Sequence, residues 1–366
     1  MRRSWALAAA LVVFPAAGGQ ASSPGVVLSR PADLAQGIGA RLGPPFDGAR
    51  VRVRAASLGE RRAAARRQLA EAFFPLTGPR CAEVLERLGT APPDPARWDA
   101  LIGEDRPVAD LERDELLVPR RLGVQTRADL ELLSASGVLP FEVALTGEWA
   151  RLVAARHLGP APADPLLRMA RVARLEGVAR LAGMLVMLRG AGLDPAELGS
   201  ALLGTDRDRS GLWPRSAALE LAEDAAQRAV IETLTRDGLR WAVFHYLKGR
   251  LPALMAAVER PIVRPEQLLH PLERVPAPRS DGGCRPGPRV AEVLAWGEPS
   301  PGWAANLLDQ NLLPAGPDGV RLELLFSSTS AAERACRLLE GRSLACRLDE
   351  ALLTAVLPGR EGAGSP

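Results

Sequence analysis

Few residues in this chain have side chains and spacings that suggest chemistry. Histidines at positions 157, 245 and 270 are the only three, and a metal site or a proton relay would need some of them to meet a carboxylate. His157 and His245 stand on stretches of helical periodicity among apolar neighbours, where a buried, hydrogen-bonded imidazole is the ordinary reading. Glu148 and Glu176 also fall on helical stretches, and a lone glutamate there is ordinarily a surface carboxylate. Met184–Met187 reads as core packing on a helix face. No GxSxG, glycine-rich phosphate loop or Cys/His dyad occurs, so nucleophilic and nucleotide-dependent enzyme classes have no motif behind them.

Four cysteines, Cys81, Cys284, Cys336 and Cys346, allow three disulfide connectivities. Cys336 and Cys346 flank an expected helix-to-strand turn, which favours that pair and leaves Cys81 with Cys284; four free buried thiols are the alternative. No CxxC or Cys/His cluster points to a cysteine metal site.

The chain start sets the compartment in which these groups would work. Arg2 and Arg3 precede an apolar run, Trp5 to Phe14, and Gly19-Gln20-Ala21 offers small residues at a cleavage site. This is the pattern of a secretory signal peptide over 1–21, with an apolar run shorter than the roughly 20 residues of a spanning helix. We therefore expect an exported protein, periplasmic or extracellular, without a transmembrane anchor. About 345 residues remain after the cut, enough for one large domain or two ordinary ones. The net charge is +3, with 46 basic and 43 acidic side chains interspersed, so no sustained basic field invites nucleic acid. Lys248 is the single lysine; the arginine-, alanine- and proline-rich composition is that of a GC-rich genome.

The elements that must position the candidate residues follow from periodicity and punctuation. Residues 22–50 are Gly-, Pro- and Ser-rich and read as an extended lead-in, with order beginning near Val51. Helices are expected over Leu58–Phe74, stopped by Pro75, and over Pro79–Leu88, Arg127–Ser136 and Phe141–His157. Asp164-Pro165 opens a long helix to about Arg189, Asp194-Pro195 a short one, and Ser216 one reaching Leu234. A further helix over Asp237–Gly249 leads into Leu251–Val258, then a proline-rich loop over 260–278. A mainly helical domain, 51–278, a linker, 279–286, a small α+β unit, 287–360, and a disordered tail, 361–366, complete the organisation. Within the last unit, Val320–Phe326, Ser343–Leu348 and Leu352–Leu357 read as strands and Ala331–Leu339 as a helix.

One segment adds a resemblance. Pro261, Glu266, Gln267, Leu269, His270 and Pro271 match in order the "PPxSTEQxLHPEKY" segment of a family of exported bacterial HExxH metallopeptidase-like proteins. The helix with Gly238 and Gly249 resembles the family's "YxxGxxFvxxlxxxGG" stretch, with Thr235 at the tyrosine, Trp241 at the phenylalanine and Arg250 at the last glycine. Glu176-Gly177-Val178-Ala179 resembles the end of its "LxEGdA" motif. Gly147-Glu148-Trp149-Ala150-Arg151, running on to His157 and Leu158, lies in register with "HELxHALQDQHF". The resemblance covers about Phe141 to Arg274; beyond it, Val320–Leu357 is similar in kind to the family's terminal strand–helix–strand unit.

What this implies is a mainly α (α+β) fold: a zincin-like helical core with a small C-terminal α/β unit. In the family, histidines at i and i+4 bind zinc, the glutamate between them activates a water, and a further glutamate supplies the third ligand. Here Gly147 and Arg151 stand at the histidine positions. Glycine has no ligand atom, and a protonated guanidinium repels a divalent cation. The resemblance thus implies a catalytically inactive relative with no metal and no cofactor, in which Gly147, Glu148, Arg151 and Glu176 are vestigial. His157, Glu266, Gln267 and His270 are then candidate cleft residues for an unidentified partner, a peptide or an envelope protein. We expect Arg151 to pair with Glu176 or Glu148, a side-chain cation replacing the metal. The competing readings are a hydrolase with a relocated metal site built from Glu148, Glu176 and a histidine, and a structural envelope protein without a ligand. Exposure of Glu148 and Glu176 in a concave site separates the three.

Overall fold

The computed structural model describes residues 31–46, 49–77, 79–90, 93–120, 122, 137–138, 140–193, 215–261, 265–268, 283–296, 306–316 and 319–359. The expected signal peptide, the helix expected at Arg127–Ser136, the short helix opening at Asp194, His270 and the tail lie outside them.

The described residues form a mainly α structure with two small sheets. The helices are α1 (Pro31–Leu42), α2 (Leu58–Thr77), α3 (Pro79–Arg87), α4 (Pro95–Trp98), α5 (Pro140–His157), α6 (Pro165–Gly190), α7 (Arg215–Leu221), α8 (Ala225–Glu232), α9 (Gly238–Glu259), α10 (Pro288–Trp296) and α11 (Thr329–Glu340). The strands are β1 (Arg52–Ala56), β2 (Val108–Asp110), β3 (Glu115–Pro119), β4 (Leu307–Ala315), β5 (Gly319–Phe326), β6 (Cys346–Asp349) and β7 (Leu352–Pro358).

The long pair α5 and α6 makes the centre. Asp164 caps α6, its side chain accepting from the Leu167 N–H at 3.0 Å, and Pro165 fills a first-turn position whose missing N–H costs nothing. Both helices are buried around most of their circumference, Phe141 to Ala154 on α5 and Leu166 to Val186 on α6, which is why neither reads as a simple amphipathic stripe. α2, α9 and the sheet β1-β3-β2 pack round them. In that sheet β1 runs parallel to β3 and β2 antiparallel to it, with Ala109 opposite Leu116.

Two glycines let α9 approach α6. A Cβ on Gly177 would lie 2.0 Å from the Gly238 carbonyl oxygen, and one on Gly238 would lie 2.1 Å from that of Ala173. The backbones touch, and no side chain fits between them. A π-helical stretch, Thr233–Asp237, carries α8 into α9 at this crossing. Further along, α9 breaks at Gly249 and Arg250, where Arg250 holds φ 61° and ψ −155°, a region that only glycine enters freely and that costs another residue about 1–3 kcal/mol.

The antiparallel sheet β4-β5-β7-β6 alternates as period-2 strands must. Val320, Leu322 and Leu324 of β5 and Leu353, Ala355 and Leu357 of β7 are buried, and Val356 faces outward. α11 packs on it through Ala331, Ala332, Ala335 and Leu339, its N-terminus capped by the Ser328 hydroxyl, which accepts from the Ala331 N–H at 3.2 Å. Disulfides join Cys336 to Cys346 and Cys81 to Cys284.

Several expectations need correcting. Residues 31–42 are helical, not extended: Pro31 suits a helix start, and Ile38 and Leu42 bury against the core, with Gly39 against the Trp149 ring. Pro75 does not stop α2; it lies in the last turn, where one hydrogen bond is lost, and burial of Phe73 and Leu76 holds the turn. The helix expected from Ser216 to Leu234 is broken at 222–224, where Asp224 caps a new one by accepting from the Gln227 N–H at 2.7 Å. β1, β2, β3 and β4 fall where no strands were expected. The described part of the expected linker is fastened down: Cys284 exchanges backbone hydrogen bonds of 2.9 and 2.8 Å with Leu312, and Arg285 donates to Asp309 at 2.8 Å. Across the expected boundary at 287, α10 packs against α8 and Arg289 pairs bidentately with the buried Asp237.

Candidate functional site

Glu148, Arg151, Glu176 and Arg180 meet between α5 and α6. Glu148 and Arg151 are three apart on α5, and Glu176 and Arg180 four apart on α6, so each helix presents one carboxylate and one guanidinium to the shared face. Arg151 Nε donates to Glu148 Oε2 at 3.1 Å, and its Nη2 donates to Glu176 Oε2. Arg180 Nε donates to the other oxygen, Glu176 Oε1, at 2.6 Å. None of the four side chains is more than 2% exposed.

The first sheet closes the cluster from above. β2 is its edge strand, and the outward Ala109 N–H donates to Glu148 Oε2 at 3.0 Å while its carbonyl accepts from Gln68 Nε2 of α2 at 2.7 Å. Both backbone groups that an added strand would use are therefore occupied by side chains of the core.

Burial and pairing pull the ionisations apart. Burial raises the Glu148 carboxyl above the usual glutamate range, and Arg151 and the Ala109 N–H only partly oppose it. Glu176 is equally buried, but Arg151 and Arg180 together outweigh that and hold it below the range. Burial also works against the Arg151 charge, and the two glutamates overcome it, so the guanidinium stays protonated. Glu148 Oε1 and Arg151 Nη1 are buried without a hydrogen-bond partner among the described residues, so the neutralisation is electrostatic more than it is a saturated hydrogen-bond network.

Zinc does not fit this arrangement. The two carboxylates that could coordinate it are both bonded to Arg151, whose cation occupies the space between them, and Gly147 contributes no donor atom. Nor is the cluster open: Glu148 is 1% and Glu176 0% exposed, so neither lines a concave site that a substrate could enter.

The other candidates are not brought to it. His157, read from the sequence as a buried imidazole, is instead exposed at the far end of α5, where the helix runs out of the core, and pairs with Glu259 of α9 at 3.0 Å. Gln267, half-buried, sits in the 3-10 turn Pro265–Leu268, which packs against α6 and β4; Glu266 shares that turn. His245 packs against Trp241 and Phe244, with ring centroids 4.8 and 5.2 Å away. Burial, with Arg174, Lys248 and Arg260 nearby, lowers it to about 4. Arg174 lies over the Trp241 ring at 4.8 Å and donates to the Arg260 carbonyl at 2.8 Å, tying α6 to the end of α9.

Arg180, Gln68 and the Ala109 backbone were missed from the sequence. Arg180 had a local signal, its i,i+4 spacing from Glu176; the other two are long-range contacts with none. Compared with known proteins, the chain matches no family model, no curated sequence and no solved structure.

Proposed function

We propose that this chain is a catalytically inactive, exported protein on a zincin-like scaffold of the HExxH metallopeptidase-like kind, with a binding or structural role in the cell envelope. One observation carries the reading: Arg151, at a position where the resemblance implies a zinc ligand, bonds both carboxylates that the resemblance assigns to catalysis and to the metal. The site has become part of the core. Its role is to hold α5, α6 and β2 together, and any partner is met by the outer surface. The resemblance in the Gly177 and Gly238 motifs supports the same reading, since both glycines serve the helix crossing and neither serves chemistry. A hydrolase with a relocated metal has no comparable support, because Glu148 and Glu176 are committed to Arg151 and His157 pairs elsewhere.

Elemental analysis of the purified mature protein, beside a Gly147→His/Arg151→His double variant, tests this. Wild type is expected to be metal-free and the variant to take up about one zinc per chain, since two histidines and Glu176 then make a three-ligand site. Stoichiometric zinc in wild type overturns the proposal; a folded variant that takes up none removes the register with the metallopeptidase motif.

A further inference from the structure

A second cluster of arginines has the opposite construction. Arg50 and Val51 before β1, Arg52 at its start, Arg113 and Asp114 in the β2–β3 turn, and Arg156 in the last turn of α5 line an open cavity of about 440 Å³. Four arginines and one carboxylate line it, and two of the arginines are already paired: Asp114 accepts from Arg156 Nε and Nη2, both at 2.8 Å, and Arg52 donates to Glu115. Arg156 Nη1 also donates to the Arg50 carbonyl at 2.8 Å, which fixes the guanidinium in the cavity wall.

The acidic residues around the rim are each held by an arginine. Glu115 takes Arg52 and Arg54, each at 3.1 Å. Asp110 accepts from Arg67 at 2.9 Å, and Glu112 pairs with Arg67 at 3.0 Å. Arg113 approaches Asp110 only to 3.9 Å, and the Arg50 guanidinium has no carboxylate partner among the described residues. Arg50 and Arg113 thus leave the cavity a local surplus of positive charge in a chain whose overall charge is nearly balanced.

We propose that this cavity binds a phosphate group. Guanidinium forks match the oxygens of a phosphate in pairs, and arginines from three separate elements converge on one space as a tetrahedral anion requires. The cavity is wider than one phosphate ion and Val51 is its single apolar lining residue among those described. Its ligand is therefore a phosphorylated head group or a linked pair of phosphates, not an acyl chain or an aromatic ring. The phosphate comes either from a soluble phosphorylated molecule or from the head group of an anionic lipid.

The test uses the mature protein and an Arg50→Ala/Arg113→Ala variant, which removes the two guanidiniums least committed to the fold. Titration calorimetry with inorganic pyrophosphate is expected to show saturable binding in wild type and at least about tenfold weaker binding in the variant, a loss of about 1.4 kcal/mol, with the melting temperature unchanged. Flotation with phosphatidylglycerol and phosphatidylcholine vesicles separates the sources. Variant-sensitive capture by phosphatidylglycerol alone assigns the lipid head group, and pyrophosphate binding without capture assigns a soluble ligand. No saturable binding of pyrophosphate up to about 10 mM and no capture, or binding that survives in the variant, overturns the proposal.

Discussion

Arginine does two different things in this molecule, and the contrast between the buried cluster and the surface cavity shows why. Between α5 and α6, two guanidiniums meet two carboxylates with none of the four more than 2% exposed. An uncompensated charge there would cost several kcal/mol, so the sequence matches the signs. In the cavity at Arg50, Arg52, Arg113 and Arg156 water screens the charges and a surplus is tolerated: Arg52 and Arg156 are paired, but Arg50 and the loosely held Arg113 are left to meet an anion. Burial forces neutrality, whereas exposure permits an unbalanced field.

The strongest way to break that contrast is to remove the buried cation. Arg151→Met is expected to destabilise the protein by about 3–5 kcal/mol at neutral pH, because a buried carboxylate loses its partner. The pH dependence gives the sign. Glu148 already sits above its ordinary range and climbs further without Arg151, and a group whose folded pKa is raised gives stability below its unfolded value that is lost as pH rises. Glu176, held below its range, acts oppositely in wild type, giving stability that is lost as pH falls through its folded pKa. Urea unfolding at about pH 4 and pH 8, on either side of the unfolded glutamate value, should therefore show the variant's penalty shrinking on the acid side. A pH-independent penalty would mean that the cluster is not held by charge.

A smaller effect is expected where geometry, not charge, sets the cluster. Gly177→Ala places a methyl group against the Gly238 carbonyl, and overpacking of this kind costs about 1–3 kcal/mol. Thermal unfolding should show that loss with little change in its pH dependence, because the charges remain; an unchanged melting temperature would deny the close crossing. Least of all, Arg50→Ala/Arg113→Ala should move stability by no more than about 0.5 kcal/mol, measured by urea unfolding. A loss as large as that of Arg151→Met would show the cavity arginines to be structural and erase the contrast.

How much was legible depended on how local the signal was. The α5 and α6 spans, α3, β5, β7 and α11 were readable from periodicity and proline. A pairing of Arg151 with Glu176 or Glu148 was expected, since a charge lacking a metal must find a partner when buried; that it takes both at once only the structure shows. β1, β2 and β3 were not: they are short, and β2 has three residues, all buried, so no alternation shows. The cavity escaped entirely because its arginines lie at positions 50, 52, 113 and 156, where a mixed charge pattern looks balanced.

By itself the sequence determined the helical character and the residue types at 147 and 151, neither of which can ligate a metal. Gly147 has no donor and Arg151 carries a fixed charge, properties of residue type that no fold changes. Only the tertiary structure decided that the two glutamates are sealed under an edge strand, that His157 is held by Glu259 away from them, and that four dispersed arginines share one cavity. Those outcomes depend on which distant surfaces pack together, and the chain specifies that through the sum of many burials and close approaches, not through any short motif.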